Sequence, residues 1–348
     1  SMRRNLEDDC YNKVTKTIKK YNLIKNGDKI VIGVSGGPDS ICLLDILKKI
    51  KNPTFDIIVA HINHMIREEA DEDENFVKEY CNKNNIQFYS KSIDVQKIAN
   101  NNKISTEEAG RNARYEFFDE ILKKTSGNKI AIAHNKNDKI ETIIMNELRG
   151  CGLSGLKGIE PIRGKYIRPL IECERQDIER YCNDNELNPR IDKTNFENIY
   201  TRNKIRNIVI PYIKKEFNPN IIETMDRLSI LVTEQEEYIQ NQVNKTYKEL
   251  LLEEHLENAS KVVNKPKDYI VLDLKKFNNQ EKVIKSNIII YTITRLFNTA
   301  KGIERIHIED IIKLCGNNIG NKFLTPNKNL KVLVKNGKIK FFKEYKYP

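Results

Sequence analysis

The stretch Lys29-Ile30-Val31-Ile32-Gly33-Val34-Ser35-Gly36-Gly37-Pro38-Asp39-Ser40 decides the fold. Its first half is an apolar, mostly β-branched run, which reads as a buried strand. Its second half is a glycine turn, and a helix is expected from there over about Ser40–Ile50. A turn between a strand and the start of a helix is where backbone N–H groups and the helix dipole hold phosphate. Glycine lets the main chain approach the oxygens. Pro38 suits a first helical turn, because the N–H it lacks would have no partner there. The turn is neither of the two common nucleotide loops. Gly33 and Gly37 are one residue too close for G-x-x-x-x-G-K, Pro38 stands where the lysine belongs, and the turn does not have the dinucleotide G-x-G-x-x-G spacing.

Working outward, short β-branched runs alternate with longer amphipathic segments up to about residue 215. Strands are expected over Lys29–Val34, Phe55–His61, Gln87–Ile93 and Lys129–Ala133. Helices are expected over about Glu68–Asn84, Ser105–Lys124 and Lys136–Leu148, the second capped by Ser105 or Thr106 with glutamates in its first turn. Such alternation means parallel strands joined by right-handed crossovers, with helices on both faces. From about Lys214 the pattern is helical through about Ala259. The stretch Asn264-Lys265-Pro266-Lys267 interrupts it, and helices are expected again over about Glu281–Phe297 and Ile306–Cys315. The tail Lys331–Lys335, Asn336-Gly337, Lys338–Phe342 is a hairpin signal. The expected fold class is therefore α/β: a doubly wound parallel sheet, then a mainly helical C-terminal region ending in a β-hairpin. The expected divisions are 1–213, 214–264 and 265–348.

The 348 residues are 39% hydrophobic and 31% charged, with a formal net charge of +11. That excess favours a polyanionic partner, nucleic acid above all, although a lysine-rich surface kept for solubility would look the same. Seven cysteines are scattered without a C-x-x-C pair, so no disulfide framework, zinc site or iron–sulfur site is suggested and a reducing cytoplasm fits. No apolar run approaches the roughly 18 residues of a membrane span. No signal-peptide core follows the N-terminus, and Ser1 ahead of Met2 reads as an added residue.

Further blocks carry chemistry. His61-Ile62-Asn63-His64-Met65-Ile66-Arg67 follows the second strand, at the edge where a parallel sheet binds nucleotides; on the residues alone, a structural role for either histidine is the lesser alternative. Arg111 and Arg114 share a helix face, as a phosphate clamp or as a solvated basic surface. His134 ends the fourth strand. Asp138 and Glu141 share a face of the next helix, where two carboxylates could hold an ammonium group or deprotonate an amine. Arg149-Gly150-Cys151-Gly152 begins a glycine-rich loop running to Gly158. Arg202 and Arg206 again share a face.

Together these blocks resemble a known family. Ser-Gly-Gly-x-Asp-Ser after the first strand is similar to the pyrophosphate loop of N-type ATP pyrophosphatases, the PP-loop enzymes. The H-x-N-H-x-I-R block, Glu108-Ala109-Gly110-Arg111-Asn112-Ala113-Arg114, Ala133-His134 with Asp138 and Glu141, the glycine loop, Arg168-Pro169-Leu170, Asp192-Lys193-Thr194-Asn195 and Arg202-Asn203-Lys204-Ile205-Arg206 narrow the resemblance to the tRNA(Ile)-lysidine synthetases. It covers about residues 28–215 and is looser beyond. Two positions depart from the family pattern: Asn135 stands where a second histidine is frequent, and Lys139 replaces a glutamine.

The resemblance implies an ATP-dependent carbon–nitrogen ligase. The cytidine at the wobble position of tRNA(Ile) with a CAU anticodon is adenylated by ATP, and the ε-amine of free L-lysine then displaces AMP. It implies that Ser35, Gly36, Gly37, Pro38 and Ser40 contact the departing pyrophosphate, and that Asp39 serves Mg2+ or ATP. His61, Asn63 and Arg114 would line the ATP pocket. Arg111, with Asp39, Asp138 and Glu141, would be catalytic. His134, Asp138, Glu141, Arg202 and Arg206 would face lysine or tRNA. A tRNA-binding C-terminal domain and a homodimer are further implications. Two other readings remain at this level: another ligase on the same loop, such as a 2-thiocytidine synthase or an NAD synthetase, and a non-catalytic RNA-binding protein.

Overall fold

The buried run around residue 30 becomes the middle of a six-stranded sheet in the computed structural model, which describes residues 9–66, 68–192, 201–256, 268–317, 322–327 and 329–343. Helix α1 (Cys10–Lys20) leads into β1 (Lys29–Gly33), α2 (Pro38–Lys49), β2 (Asp56–Asn63), α3 (Ala70–Lys83), β3 (Gln87–Ser92), α4 (Val95–Asn102), α5 (Thr106–Thr125), β4 (Lys129–Ala131) and α6 (Lys136–Arg149). The short strands β5 (Ile162–Arg163) and β6 (Tyr166–Ile167) and helix α7 (Arg175–Asp184) follow. The sheet order is β3-β2-β1-β4-β6-β5, parallel throughout except for β5.

Both faces of this sheet are covered, which is why β1 lacks polar alternation. Ile30 and Ile32 face a core shared with α1, α2 and α7, while Val31, with Ile58 and Ala60 of β2, faces Phe117, Phe118 and Ile121 of α5. Gly33 is required here: a Cβ on it would overlap the Phe118 ring. Helix α5 starts as the sequence implied, with Ser105 Oγ accepting the Glu108 N–H at 3.1 Å.

After α7 come α8 (Thr201–Lys204), a π-helical turn over Ile205–Val209, α9 (Ile210–Glu216) and the long α10 (Ile221–Leu250). The chain separates into two compact units, residues 1–232 and 233–348. In the second, β7 (Leu251–His255), β8 (Tyr269–Asp273), α11 (Leu274–Asn278), α12 (Lys282–Phe297), α13 (Arg305–Gly316), β9 (Lys322–Asn327), β10 (Leu330–Lys335) and β11 (Lys338–Lys343) follow. Its strands form one antiparallel sheet ordered β7-β8-β11-β10-β9. Asn336 (φ 51°) and Gly337 (φ 72°) turn the terminal hairpin, both at the positive φ that such a two-residue turn demands.

The helix expected through Ala259 is corrected. It ends at Leu250, and Leu251–His255 pairs with Tyr269–Asp273 as an edge strand. Leucine and glutamate favour helix locally, but pairing with β8 takes the backbone hydrogen bonds instead. Residues 257–259 and 264–267 lie outside the described residues. The hairpin β5–β6 and the strands β8 and β9 were not legible as strands in the sequence.

One buried charge pins the helices behind the nucleotide loop. Asp45 on α2 is 3% exposed and accepts hydrogen bonds from Tyr80 of α3 and Tyr181 of α7, each at 2.6 Å, while Lys49 sits 2.9 Å away. Burial pushes its pKa up, but the two phenols and Lys49 outweigh that and hold it at about 2. A depressed carboxylate stabilises the fold fully above its unfolded value and loses that contribution as pH falls through the folded one. Asp45→Asn should therefore lower unfolding free energy at pH 7 by about 2 kcal/mol. The deficit should shrink as pH falls from about 4 towards 2; urea unfolding of both proteins across that range checks it.

Candidate active site

Parallel strands deliver their carboxyl ends to one edge, and the turn after β1 opens there. Gly36 takes φ 99°, and Pro38 is the first residue of α2. The Ser35 and Gly36 N–H groups both donate to Ser40 Oγ at 3.1 Å, and the Gly37 N–H donates to Ser35 Oγ at 3.3 Å. Three consecutive amides thus converge on hydroxyl oxygens at a helix N-terminus. That arrangement accepts phosphate oxygens by exchange of partners.

The loop floors a cleft of about 310 Å³ that His61, Asn63, Arg114 and His134 also line. His61 is 2% exposed, and its Nδ1 meets the Val34 carbonyl at 2.7 Å. A carbonyl only accepts, so Nδ1 carries the proton and Nε2 is a bare lone pair. Among the described residues Nε2 is buried without a hydrogen-bond partner, and burial lowers the ring's pKa, keeping it neutral. Asn63 is held in place: its amide donates to Asp71 at 2.7 Å and its carbonyl accepts the Met65 N–H at 3.1 Å.

Arg111 and Arg114 lie over the rings of Tyr115 and Phe118, at 5.8 and 5.9 Å from the ring centres. Both make no ion pair among the described residues, and Arg114 reaches the cleft while Arg111 is exposed beside it. His134 accepts from Arg168 Nε at 3.3 Å, which leaves its proton on Nε2. Burial first, and then the charges of Arg168, Arg114, Arg202 and Arg111, push its pKa down to about 3. Cationic charge therefore collects around a neutral histidine, a setting that attracts anions.

On the other flank, Asn135 caps α6. It donates its own N–H to Asp138 Oδ2 at 2.9 Å and accepts the Asp138 N–H at 2.8 Å. Its side-chain amide also donates to Asp39 Oδ1 at 3.2 Å. Burial and the facing Asp138 raise the pKa of Asp39 to about 6, against the pull of Arg175, Asn135 and Arg206. One turn along α6, the fully buried Glu141 takes a forked pair of bonds from Arg206 at 2.7 and 3.0 Å. Arg175 lies 3.4 Å from Glu141 and 3.5 Å from Asp138, and Arg202 lies 3.5 Å from Glu141.

Comparisons with known proteins agree with this geometry. A family model described as a PP-loop domain matches residues 6–213. The tRNA(Ile)-lysidine synthase of Clostridium acetobutylicum is 46% identical over 319 residues, covering 91% of this chain and 66% of that protein. Its counterpart from Clostridium tetani is 44% identical over 336 residues, covering 95% and 69%. The chain belongs to the tRNA(Ile)-lysidine synthase family. It spans about two thirds of the length of these curated relatives. A solved U34-tRNA thiolase, NcsA of Methanococcus maripaludis, shares the fold at a TM-score of 0.51 and 18% identity, over 63% of this chain and 77% of that one.

Against the lysidine synthase pattern, both departures acquire a physical role. Asn135 bridges the two carboxylates, and Lys139 pairs with Asp226 of α10 at 2.8 Å while Lys136 pairs with Glu223 at 2.6 Å. Arg202 and Arg206, expected to face lysine or tRNA, are drawn onto Glu141. Arg175, Arg168 and Asn135 join the site without having been assigned there from sequence. No spacing signalled Arg175, which enters from the start of α7, a distant segment. Arg67, Thr194 and Asn195 lie outside the described residues. In the glycine loop Gly155 is the tight position, where a Cβ would overlap Cys151.

Removing the charge of Glu141 leaves three guanidiniums crowded without their central anion. Glu141→Gln should cost roughly 3 kcal/mol of stability, much more than the same change at an exposed glutamate such as Glu107. Chemical denaturation of both variants measures the difference.

Proposed function

We propose that this chain joins free L-lysine to C2 of the wobble cytidine in tRNA(Ile) bearing a CAU anticodon, through an adenylated cytidine, with release of pyrophosphate and AMP. The observation that carries the reading is the Asn135 bridge, which sets the phosphate-loop carboxylate Asp39 beside the Asp138–Glu141–arginine cluster. An ATP-cleaving end and an end suited to an amino acid then share one site.

In the first step the cytidine O2 attacks the α-phosphorus and pyrophosphate leaves. The amides of Ser35, Gly36 and Gly37 would receive the departing oxygens, with Arg111 and Arg114 as cations that have no competing ion pair among the described residues. The lone pair of His61 Nε2 suits a donor such as the exocyclic amine of adenine. Asp39, the under-compensated carboxylate beside the phosphate loop, is the one that would hold Mg2+. Burial and the charge of Asp138 oppose its ionisation, which a divalent cation relieves, and one or two carboxylates with phosphate oxygens are the usual set for that ion. When bound, the ion supplies charge stabilisation at the phosphates. In the second step the lysine ε-amine attacks C2 and AMP departs. That amine must be neutral, so a nearby carboxylate has to take its proton. Asp138 is the less enclosed of the two, with a side chain 12% exposed against 1% for Glu141, so it is the one assigned to the incoming amino acid. Arg175 and Arg206 suit the α-carboxylate of lysine. The excess of positive charge, +11 over the chain, suits tRNA phosphates.

Incubation with ATP, labelled lysine and total tRNA should put label into a single isoacceptor and yield AMP; formation of ADP, or label in no RNA, refutes the reading. Asp138→Asn should raise the lysine concentration needed for half-maximal rate roughly tenfold or more, and that for ATP much less, as expected for loss of a charge-assisted contact. Titration of each substrate in turn separates the two.

A further inference from the structure

The proposed reaction uses no thiol, yet the core behind the nucleotide loop gathers several. Cys10 Sγ lies 3.4 Å from Cys173 Sγ and 3.7 Å from Cys42 Sγ. These sulfurs come from α1, from the connection between α6 and α7, and from α2, the helix that follows the loop. All three are 2% exposed or less. Among the described residues no group of three or more His, Cys, Asp or Glu side chains is arranged to hold a metal ion.

Cys10 differs from its neighbours in two ways. It lines a surface cleft of about 440 Å³ together with Asp177, Arg180 and Tyr181, so a small oxidant has a route to it. Its sulfur–sulfur contacts with Cys173 and Cys42 also outweigh burial and lower its thiol pKa to about 5, whereas Cys42 and Cys173 are both raised. A thiolate beside a protonated thiol is the pairing that a disulfide-forming site needs.

We propose that Cys10 and Cys173 form a peroxide-sensitive dithiol, oxidised reversibly to a disulfide that slows the ligase reaction. The Cys10 thiolate attacks one oxygen of hydrogen peroxide. An S–O bond forms, the O–O bond breaks, and the departing hydroxide takes the proton Cys10 gave up and leaves as water. The Cys173 sulfur then displaces the hydroxyl from the sulfenic acid. An S–S bond forms, the S–O bond breaks, and the hydroxyl departs with the Cys173 proton as a second water. Two electrons pass from the sulfur pair to one peroxide.

The sulfurs must close from 3.4 Å to about 2.05 Å, which draws on the Cys173 backbone. The Cys173 carbonyl accepts the Lys136 N–H at 2.8 Å, at the first residue of the helix carrying Asp138 and Glu141. The link therefore pulls at the start of α6. This last consequence rests on the proposed ligase activity.

The test uses the full chain carrying Cys151→Ser, which removes the exposed thiol. It is treated with hydrogen peroxide, alkylated under denaturing conditions and digested. A Cys10–Cys173 linked peptide should appear, with two fewer alkylatable thiols. tRNA-dependent pyrophosphate release should fall severalfold and return with dithiothreitol. Cys10→Ser and Cys10→Ala, tested separately so that one folding failure is not decisive, should keep their activity through the peroxide treatment. Absence of the linked peptide, a Cys10–Cys42 link in its place, or full turnover in the linked chain overturns the proposal. The linked peptide is read without catalysis. A chain that links as described but never releases pyrophosphate, even when reduced, counts against the ligase reading alone.

Discussion

Everything at the site depends on the parallel pairing of β1 between β2 and β4. Parallel register sends the carboxyl ends of all three strands to one edge. The phosphate loop follows β1, His61 and Asn63 end β2, and His134 follows β4. Residues up to about a hundred positions apart in sequence are gathered because their strands run the same way. Gly33 makes the approach of α5 possible, and α5 carries Arg111 and Arg114 to the same edge.

Charge balance then organises what pairing has gathered. Three carboxylates, those of Asp39, Asp138 and Glu141, sit in a setting where unpaired charge is costly. Arg175, Arg202 and Arg206 neutralise two of them, and Asn135 supplies a neutral donor to the third. Asp39 remains under-compensated, as its raised pKa of about 6 records. Opposite this pair stand Arg111, Arg114 and a neutral His134. One flank thus invites a cation and the other an anion.

Much of this was legible along the chain. The strand–turn–helix at Lys29–Ser40, the cap at Ser105 and the Asn336-Gly337 turn are local patterns whose physics lies within a few residues. The loop residues, His61, Arg114, Asp138 and Glu141 were readable for the same reason, each within a short ordered motif. The strand Leu251–His255 was not, because its leucines and glutamates favour helix and only pairing with β8 overrules them. The hairpin Ile162–Ile167 was too short to show a period.

The sequence by itself determined the class of fold, the phosphate loop and the cast of charged side chains, since spacing on a strand or helix is a local property. Only the tertiary structure decided who pairs with whom. Glu141 is enclosed by Arg175, Arg202 and Arg206, Asn135 joins Asp39 to Asp138, and Cys10 meets Cys173 across 163 positions. Those pairings follow from the packing of separate elements, and the free energy that selects them, burial set against charge compensation, exists only once the chain has closed on itself.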